Sequence, residues 1–459
     1  MKLILLSGGS GTRLWPLSND SRSKQFLKIL KDDTLNYESM VQRVWRQINK
    51  AGLQDSVYIT TSKSQVEMIQ SQINDCPPLI IEPERKDTFP AIALSVSYLL
   101  SRTSIEEDEI VVVLPVDMYV EDDFFTHIIK LENMMVRKKA NISLLGVTPS
   151  SPAEKYGYIV PLVSSTFEEL IEVDHFVEKP PAQEAQKLIE KSALWNCGVF
   201  AFNIKYLKEI MVDRCIPREY EHLLLEYKNL KKISFDFEVL EKEHPLYVVP
   251  YNGDWKDLGT WDALVEEMDS ELLGKGIISN CSNVNLINEL DIPIVLMGLE
   301  NTIVAASPDG ILVSDISMTP NLKDALKSLK TKPMYEERRW GWFRVLDFTI
   351  NAKNEEVLTK RICIKKGKCL SYQKHLKRIE TWNIIGGEGE IVLDNQLIVV
   401  KEGDVIKINA GQKHSIRANE DLEIIEIQQG ELIEEDINRY ALTWEDIMKL
   451  TNLEHVMKG

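Results

Sequence analysis

The chain is poor in several signals that would define its class at once. Its six cysteines (Cys76, Cys197, Cys215, Cys281, Cys363 and Cys369) form no Cys-x-x-Cys pair, so they read as reduced thiols, most of them in or near the core. No apolar run approaches the ~18 residues of a membrane span. The opening MKLILLSGG has only Leu3 to Leu6 as an apolar stretch, too short for a signal peptide, and reads as a buried first strand. Positive charge is in deficit: the net charge of −17 argues against a general nucleic-acid binder, which would carry a basic face. These absences favour a cytoplasmic enzyme, neither membrane-bound nor nucleic-acid-binding, in which any anion site is built locally. No internal repeat and no low-complexity tract is present.

The chain does contain three textures over its 459 residues, enough for two or three domains. Through about residue 265, apolar runs at Leu3–Ser7, Val57–Thr60, Ile110–Leu114 and Ile142–Val147 alternate with helical patterns. One such pattern is Met40, Val41, Val44, Trp45 and Ile48. This alternation predicts an α/β domain with a mostly parallel sheet covered by helices. Residues 266–330 turn to short β pieces (NCSNVNLIN, IPIVLMG, NTIVAAS, GILVSD), a small β-rich, β-helix-like module with a brief helix at Asn321–Leu329. From 338 to 440, short strands with glycine corners predict a small barrel or jelly roll. Residues 441–459 form a tail with a helix at Thr443–Leu450.

Directly after the first strand stands S-G-G-S-G-T-R-L-W-P, residues 7–16. Glycines here let backbone N–H groups approach an anion closely. The loop is not a P-loop, since no Lys-Ser/Thr follows, and not a dinucleotide fingerprint, since Leu14 takes the third glycine position. Instead it delivers Arg13, and Lys24 follows, two cations suited to a triphosphate. The string G-G-S-G-T-R-L-W-P-L-S with K-Q-F-L resembles the signature of the mannose-1-phosphate guanylyltransferases, within the sugar-1-phosphate nucleotidylyltransferases. The resemblance implies a Rossmann-like fold in which Gly8, Gly9, Ser10, Gly11, Thr12, Arg13 and Lys24 hold nucleotide phosphates, Arg13 and Lys24 being catalytic. Ser23 departs from the family's proline, which implies a looser turn.

The resemblance continues in chain order. Glu82-Pro83 with Lys86-Asp87-Thr88-Phe89-Pro90-Ala91 is similar to a segment near the base, which adds Lys86 and Asp87 to the nucleotide site. Leu114-Pro115-Val116-Asp117 puts a carboxylate at a strand's C-terminal end, where open α/β sheets bind ligands and where Mg²⁺ finds carboxylate and phosphate oxygens. The family has His where this chain has Met118. Tyr156-Gly157-Tyr158, Phe176-Val177-Glu178-Lys179-Pro180 and Trp195-Asn196-Cys197-Gly198 resemble the sugar-phosphate segments, implying Tyr156, Gly157, Glu178, Lys179 and Asn196 as ligands. Trp255-Lys256-Asp257-Leu258-Gly259-Thr260-Trp261 implies Asp257 as the second Mg²⁺ carboxylate.

Residues 338–440 resemble the phosphomannose isomerase domain, a cupin, fused to many of these guanylyltransferases. Arg339-Trp340-Gly341, Leu370-Ser371-Tyr372-Gln373, Glu380-x-Trp382 and His414 carry that likeness. A cupin metal site needs converging imidazoles and a carboxylate. Gln373, His375, Glu380 and His414 are the candidates for a degenerate one. Lys377 stands where the family has a second histidine, and Thr381 replaces another. A lysine ammonium there would oppose a dication, so neither Zn²⁺ nor isomerase activity is expected.

The resemblance therefore implies an enzyme that makes GDP-mannose and pyrophosphate from GTP and mannose 1-phosphate; a homodimer is a guess that the residues themselves do not reach. Variants are the same transfer on another manno-configured sugar 1-phosphate such as a heptose, and a bifunctional enzyme with an active mannose-6-phosphate isomerase. A non-catalytic sensor is disfavoured because Asp117, Asp257, Arg13 and Lys24 are all present, and so is an isomerase with a degenerate N-terminal domain.

Overall fold

The computed structural model describes residues 1–9, 13–19, 22–162, 169–242, 244–268, 270–329 and 333–453. It divides into two compact units. The first comprises Met1–Leu14, Ser23–Glu271 and Ile316–Leu322, the second Trp15–Arg22, Leu272–Asp315 and Lys323–Gly459. Among the described residues no helix is long and apolar enough to cross a membrane.

The first unit is built on a nine-stranded sheet. Leu79–Glu82, Val57–Ser62, Lys2–Ser7 and Ile110–Pro115 run parallel. Leu194–Asn203 then pairs antiparallel with both Ile110–Pro115 and Ile142–Val147. The expected mostly parallel sheet is thus a mixed one, with a parallel half and a half that Leu194–Asn203 makes mixed. Alternation splits each central strand between two cores. Leu3, Leu5, Val112 and Leu114 face one side with Val41, Val44 and Ile48, whereas Ile4, Val111 and Val113 face the other with Ile92, Leu94 and Phe235. The helix Met40–Lys50 begins in a capping box: Ser39 Oγ accepts from the Gln42 N–H, and the Gln42 side chain accepts from the Ser39 N–H.

In the second unit, Leu272–Gly274, Ser282–Asn288 and Glu300–Ser307 stack in parallel register, as do Gly276–Ser279 and Ile294–Met297. Val284, Leu286, Leu296 and Val304 fill the interior of this coil. The brief helix expected at Asn321–Leu329 is one α turn, Leu322–Ala325, between 3₁₀ turns. Beyond it, a six-stranded and a five-stranded antiparallel sheet enclose Ile362, Ile364, Trp382, Ile384, Ile391, Ile416 and Ile424. The terminal helix Trp444–Thr451, capped by Thr443, packs Trp444, Ile447 and Met448 on Cys369, Tyr372 and Val392. All six cysteines are free: Cys197, Cys363 and Cys369 are buried and Cys215 is exposed.

Candidate active site

The glycine-rich loop leaves the C-terminal end of Lys2–Ser7 with Gly8 and Gly9; Ser10, Gly11 and Thr12 lie outside the described residues. A buried polar network holds its start. Ser23 Oγ donates to the Gly9 carbonyl at 3.0 Å, and Gln65 Nε2 donates to the Gly9 carbonyl at 3.3 Å and to Ser23 Oγ at 2.8 Å. Ser7 and Thr61 hydroxyls both donate to Gln65 Oε1 at 3.2 Å. Ser23, expected to loosen the turn, instead ties it with a hydrogen bond that proline lacks.

Lys24 Nζ lies 2.9 Å from Asp117 Oδ2 and 2.7 Å from Asp257 Oδ1. Register creates this cluster. Asp117 follows the strand Ile110–Pro115, and Trp255–Asp257 pairs antiparallel with Met118–Val120, so that Asp257 stands opposite Met118. Met118 is a buried apolar residue of this ladder. Burial opposes the Lys24 charge, but Asp117 and Asp257 outweigh it and raise its pKa. Burial likewise opposes the Asp257 charge, and Lys24, Lys155 and Arg13 outweigh it and lower its pKa. Arg13, exposed, is therefore within electrostatic reach of Asp257. A Cβ at Gly259 would sit 2.9 Å from Asp257 Oδ1 and 3.0 Å from Lys24 Nζ, so a side chain there would push these charged groups aside. Two carboxylates facing each other across one cation fit a divalent ion's oxygen ligands.

The sugar-phosphate candidates also converge. Tyr156 packs between Trp195 and Trp255, with ring centroids 4.9 and 5.2 Å away. Burial and then Asp257 raise its pKa. A Cβ on Gly157 would lie 2.5 Å from Phe176 Cζ and 2.6 Å from Glu178 Oε2, so the Glu178 carboxylate covers the Gly157 backbone. Lys179 pairs with Glu178. The Asn196 backbone N–H donates to the Gly157 carbonyl at 2.8 Å, and its side-chain oxygen accepts from the Gly198 N–H at 3.1 Å. This is a bulge of Leu194–Asn203, with Gly198 at φ +74°.

Lys86 and Asp87 are committed to the backbone. Lys86 Nζ donates to the carbonyls of Lys228 and Leu230, and Asp87 caps the helix Thr88–Arg102. The group sequence reasoning passed over in that region is Glu82, a buried carboxyl ending its strand, which accepts from the Tyr227 hydroxyl at 2.6 Å. Burial raises its pKa.

In the barrel, His375, Glu380 and His414 are buried with ligand atoms within 4.8 Å of one another. His375 Nδ1 is 3.0 Å from the Arg378 carbonyl and His414 Nδ1 is 3.1 Å from the Gln412 carbonyl. A carbonyl only accepts, so in each ring Nδ1 carries a proton, and Nε2 is the atom turned toward Glu380. Those Nε2 atoms lie 3.0 and 3.7 Å from Glu380. Two imidazole nitrogens and a carboxylate converging in this way fit a divalent metal. Gln373 faces His414 in the ladder, but its side-chain oxygen accepts from Ser371 Oγ at 2.8 Å, outside this trio.

The reasons for expecting a spoiled site need correction. Lys377 is not in it; its ammonium pairs with Glu431 at 2.9 Å at the surface. The buried cation is Arg378, whose Nε is 3.2 Å from Glu380. In the strand Arg378–Gly386, residues 378, 380, 382 and 384 are buried in alternation. Thr381 therefore faces away from the trio. Burial opposes the Glu380 charge, yet His375, His414 and Arg378 hold its carboxyl low; burial and then Glu380 push Glu426 up. Trp382 Nε1 donates to both carboxylates at 3.1 Å.

A family model described as nucleotidyl transferase matches residues 2–272, and one described as mannose-6-phosphate isomerase C-terminal matches residues 327–441. The chain is similar to the xanthan biosynthesis protein XanB of Xanthomonas campestris (28% identical, 96% of this chain and 98% of that one). It is also similar to the mannose-1-phosphate guanylyltransferase of Salmonella montevideo (27%, 95% and 98%). A solved structure named mannose-1-phosphate geranyltransferase, from Thermus thermophilus, superposes with a TM-score of 0.61 at 27% identity, over 72% of this chain and 99% of that one. The chain therefore belongs to the nucleotidyl transferase family and is an enzyme that transfers nucleotidyl groups, its transferase region followed by a mannose-6-phosphate isomerase C-terminal domain.

Proposed function

We propose that this chain makes GDP-mannose and pyrophosphate from GTP and α-D-mannose 1-phosphate, in a route to a mannose-containing polysaccharide. The observation that carries the reading is Lys24 held between Asp117 and Asp257 beside the glycine-rich loop. The Salmonella relative's name supplies the sugar and the base. An oxygen of the sugar phosphate attacks the α-phosphorus of GTP. The new P–O bond forms as the α–β bridging P–O bond breaks, and its electron pair leaves on pyrophosphate. Lys24 and Arg13 offset negative charge on the phosphorus and the leaving group. Glu178 and Asn196 orient the sugar, and Lys179 neutralises its phosphate. Asp117 and Asp257 would hold Mg²⁺, which when bound neutralises phosphate oxygens.

Pyrophosphate release across four nucleoside triphosphates and several sugar 1-phosphates tests the reading. GTP with mannose 1-phosphate is expected to give the highest kcat/KM. A heptose 1-phosphate above mannose would replace the sugar, and preference for UTP with glucose 1-phosphate would overturn both choices.

A second reading, isomerisation of mannose 6-phosphate in the barrel, is favoured by the convergence of His375, Glu380 and His414. These residues would hold a divalent ion, which when bound polarises a sugar oxygen. Metal analysis of the purified chain with an isomerase assay decides it: bound zinc with turnover supports a second activity, and their absence leaves transfer alone.

A further inference from the structure

Asp236 is a half-buried carboxylate beside the sugar-phosphate candidates, and no step above uses it. It opens a π-helical turn, Asp236–Leu240, a rare geometry that recurs at functional sites. Its Oδ1 accepts from Asn196 Nδ2 at 2.6 Å, while the Asn196 oxygen is occupied by the Gly198 N–H. Its own backbone N–H also donates to it. A carboxylate offers about four acceptor positions, so acceptor capacity remains. Glu178 is close enough to disfavour its charge, and Lys179 pairs with Glu178. Burying a second carboxylate near the first is unfavourable for folding alone, which points to a ligand.

We propose that Asp236 is a specificity-determining residue of the sugar pocket: held by Asn196, it accepts a hydrogen bond from a sugar hydroxyl, beside the one Glu178 accepts. Two carboxylates from different elements suit the vicinal hydroxyls of a hexopyranosyl phosphate. A site built to accept a hydroxyl proton rejects an analogue without it, because the acceptor is left unpaired. The inference rests on the sugar-phosphate reading given above.

The stability sign separates this role from a structural one. Burial pushes the Asp236 carboxyl up to about 6, with Glu178 adding to the shift and Asn196 and Lys179 opposing it. A carboxyl whose folded pKa is raised lends stability below its unfolded pKa and loses it as pH rises through about 6. At pH 7.5 the ionised group therefore weakens the fold, and Asp236→Asn is expected to melt no lower than the unsubstituted chain. A purely structural aspartate would behave in the opposite way.

Calorimetric binding of mannose 1-phosphate to the full chain and to Asp236→Asn tests the proposal, with Asp236→Ala read in the same way should the first variant fail to fold. The expected result is at least ~10-fold weaker sugar-phosphate binding, on the order of a lost hydrogen bond to a charged group, with the KM for GTP unchanged. Deoxymannose 1-phosphates lacking one hydroxyl each should include one that binds weakly to the unsubstituted chain and loses nothing further in the variant. Binding within twofold of the unsubstituted chain would overturn the proposal. Binding that depends on Asp236 without nucleotidyl transfer would overturn the proposed function and keep this inference. Transfer indifferent to Asp236 would do the reverse.

Discussion

The chain carries two charge clusters of opposite design. In the first unit a cation, Lys24, is flanked by two carboxylates whose side chains are 27 and 34% exposed. In the barrel a carboxylate, Glu380, is flanked by two imidazoles and a guanidinium, all 6% exposed or less. The first pattern leaves charge near solvent, where a polyphosphate can meet it. The second surrounds a buried charge with Arg378, Trp382 and Gln428, and turns two imidazole Nε2 atoms toward it. A hydrogen-bonded buried charge is costly to disturb but contributes little by itself to turnover. The difference teaches that exposure, as well as residue type, separates a charge cluster open to an incoming ligand from one closed around its own carboxylate.

Substitution at Lys24 should produce the largest effect. Lys24→Ala or Asp257→Ala is expected to lower kcat by on the order of 10³-fold, the scale of removing a charge-stabilising group, with circular dichroism unchanged. Full activity in both would dissolve the contrast. In the barrel the effect should fall on stability. Glu380→Ala strands Arg378 and the Gln428 amide and is expected to cost about 3–5 kcal/mol by denaturant melting, with initial transfer rates at low temperature nearly unchanged. A fully stable Glu380→Ala would show that the trio does not hold the barrel together.

Smaller effects sharpen the picture within the first unit. Gly157→Ala inserts a Cβ against Phe176 and Glu178. It should raise the KM for the sugar phosphate by about tenfold, about 1.4 kcal/mol, and leave that for GTP in place; equal changes in both would mean a general distortion. Ser23→Ala removes the hydroxyl that pins Gly9. It should cost about 1 kcal/mol of stability and raise the KM for GTP a few-fold; no change in thermal melting would show that the Gln65 network holds the loop without Ser23.

Much of the site was legible before any fold was known. Arg13, Lys24 and Asp117 follow from a glycine loop after a strand and a carboxylate at a strand end, Asp257 from the family resemblance, and Asp257 comes to Lys24 beside Asp117 because short strands pair in one register. What Lys86 and Asp87 touch was not legible, since polar side chains in a loop turn as readily to backbone carbonyls and helix caps as to a ligand. Asp236 carried one faint signal, a carboxylate set between Phe235 and Phe237. For Arg378 the signal was stronger. Glu380, Trp382 and Ile384 alternate, and extending that period back by one step places Arg378 inside and Lys377 outside.

By itself, the sequence determined the α/β transferase region, the glycine-rich loop after its first strand and the order of the three textures, because glycine placement and apolar periodicity are local properties of the chain. Tertiary structure alone decided which groups meet. A bulge at Asn196 turns its amide onto Asp236, 40 residues away, and the strand register sets Arg378 rather than Lys377 against Glu380. Contacts between distant segments depend on register and burial, which local pattern does not encode.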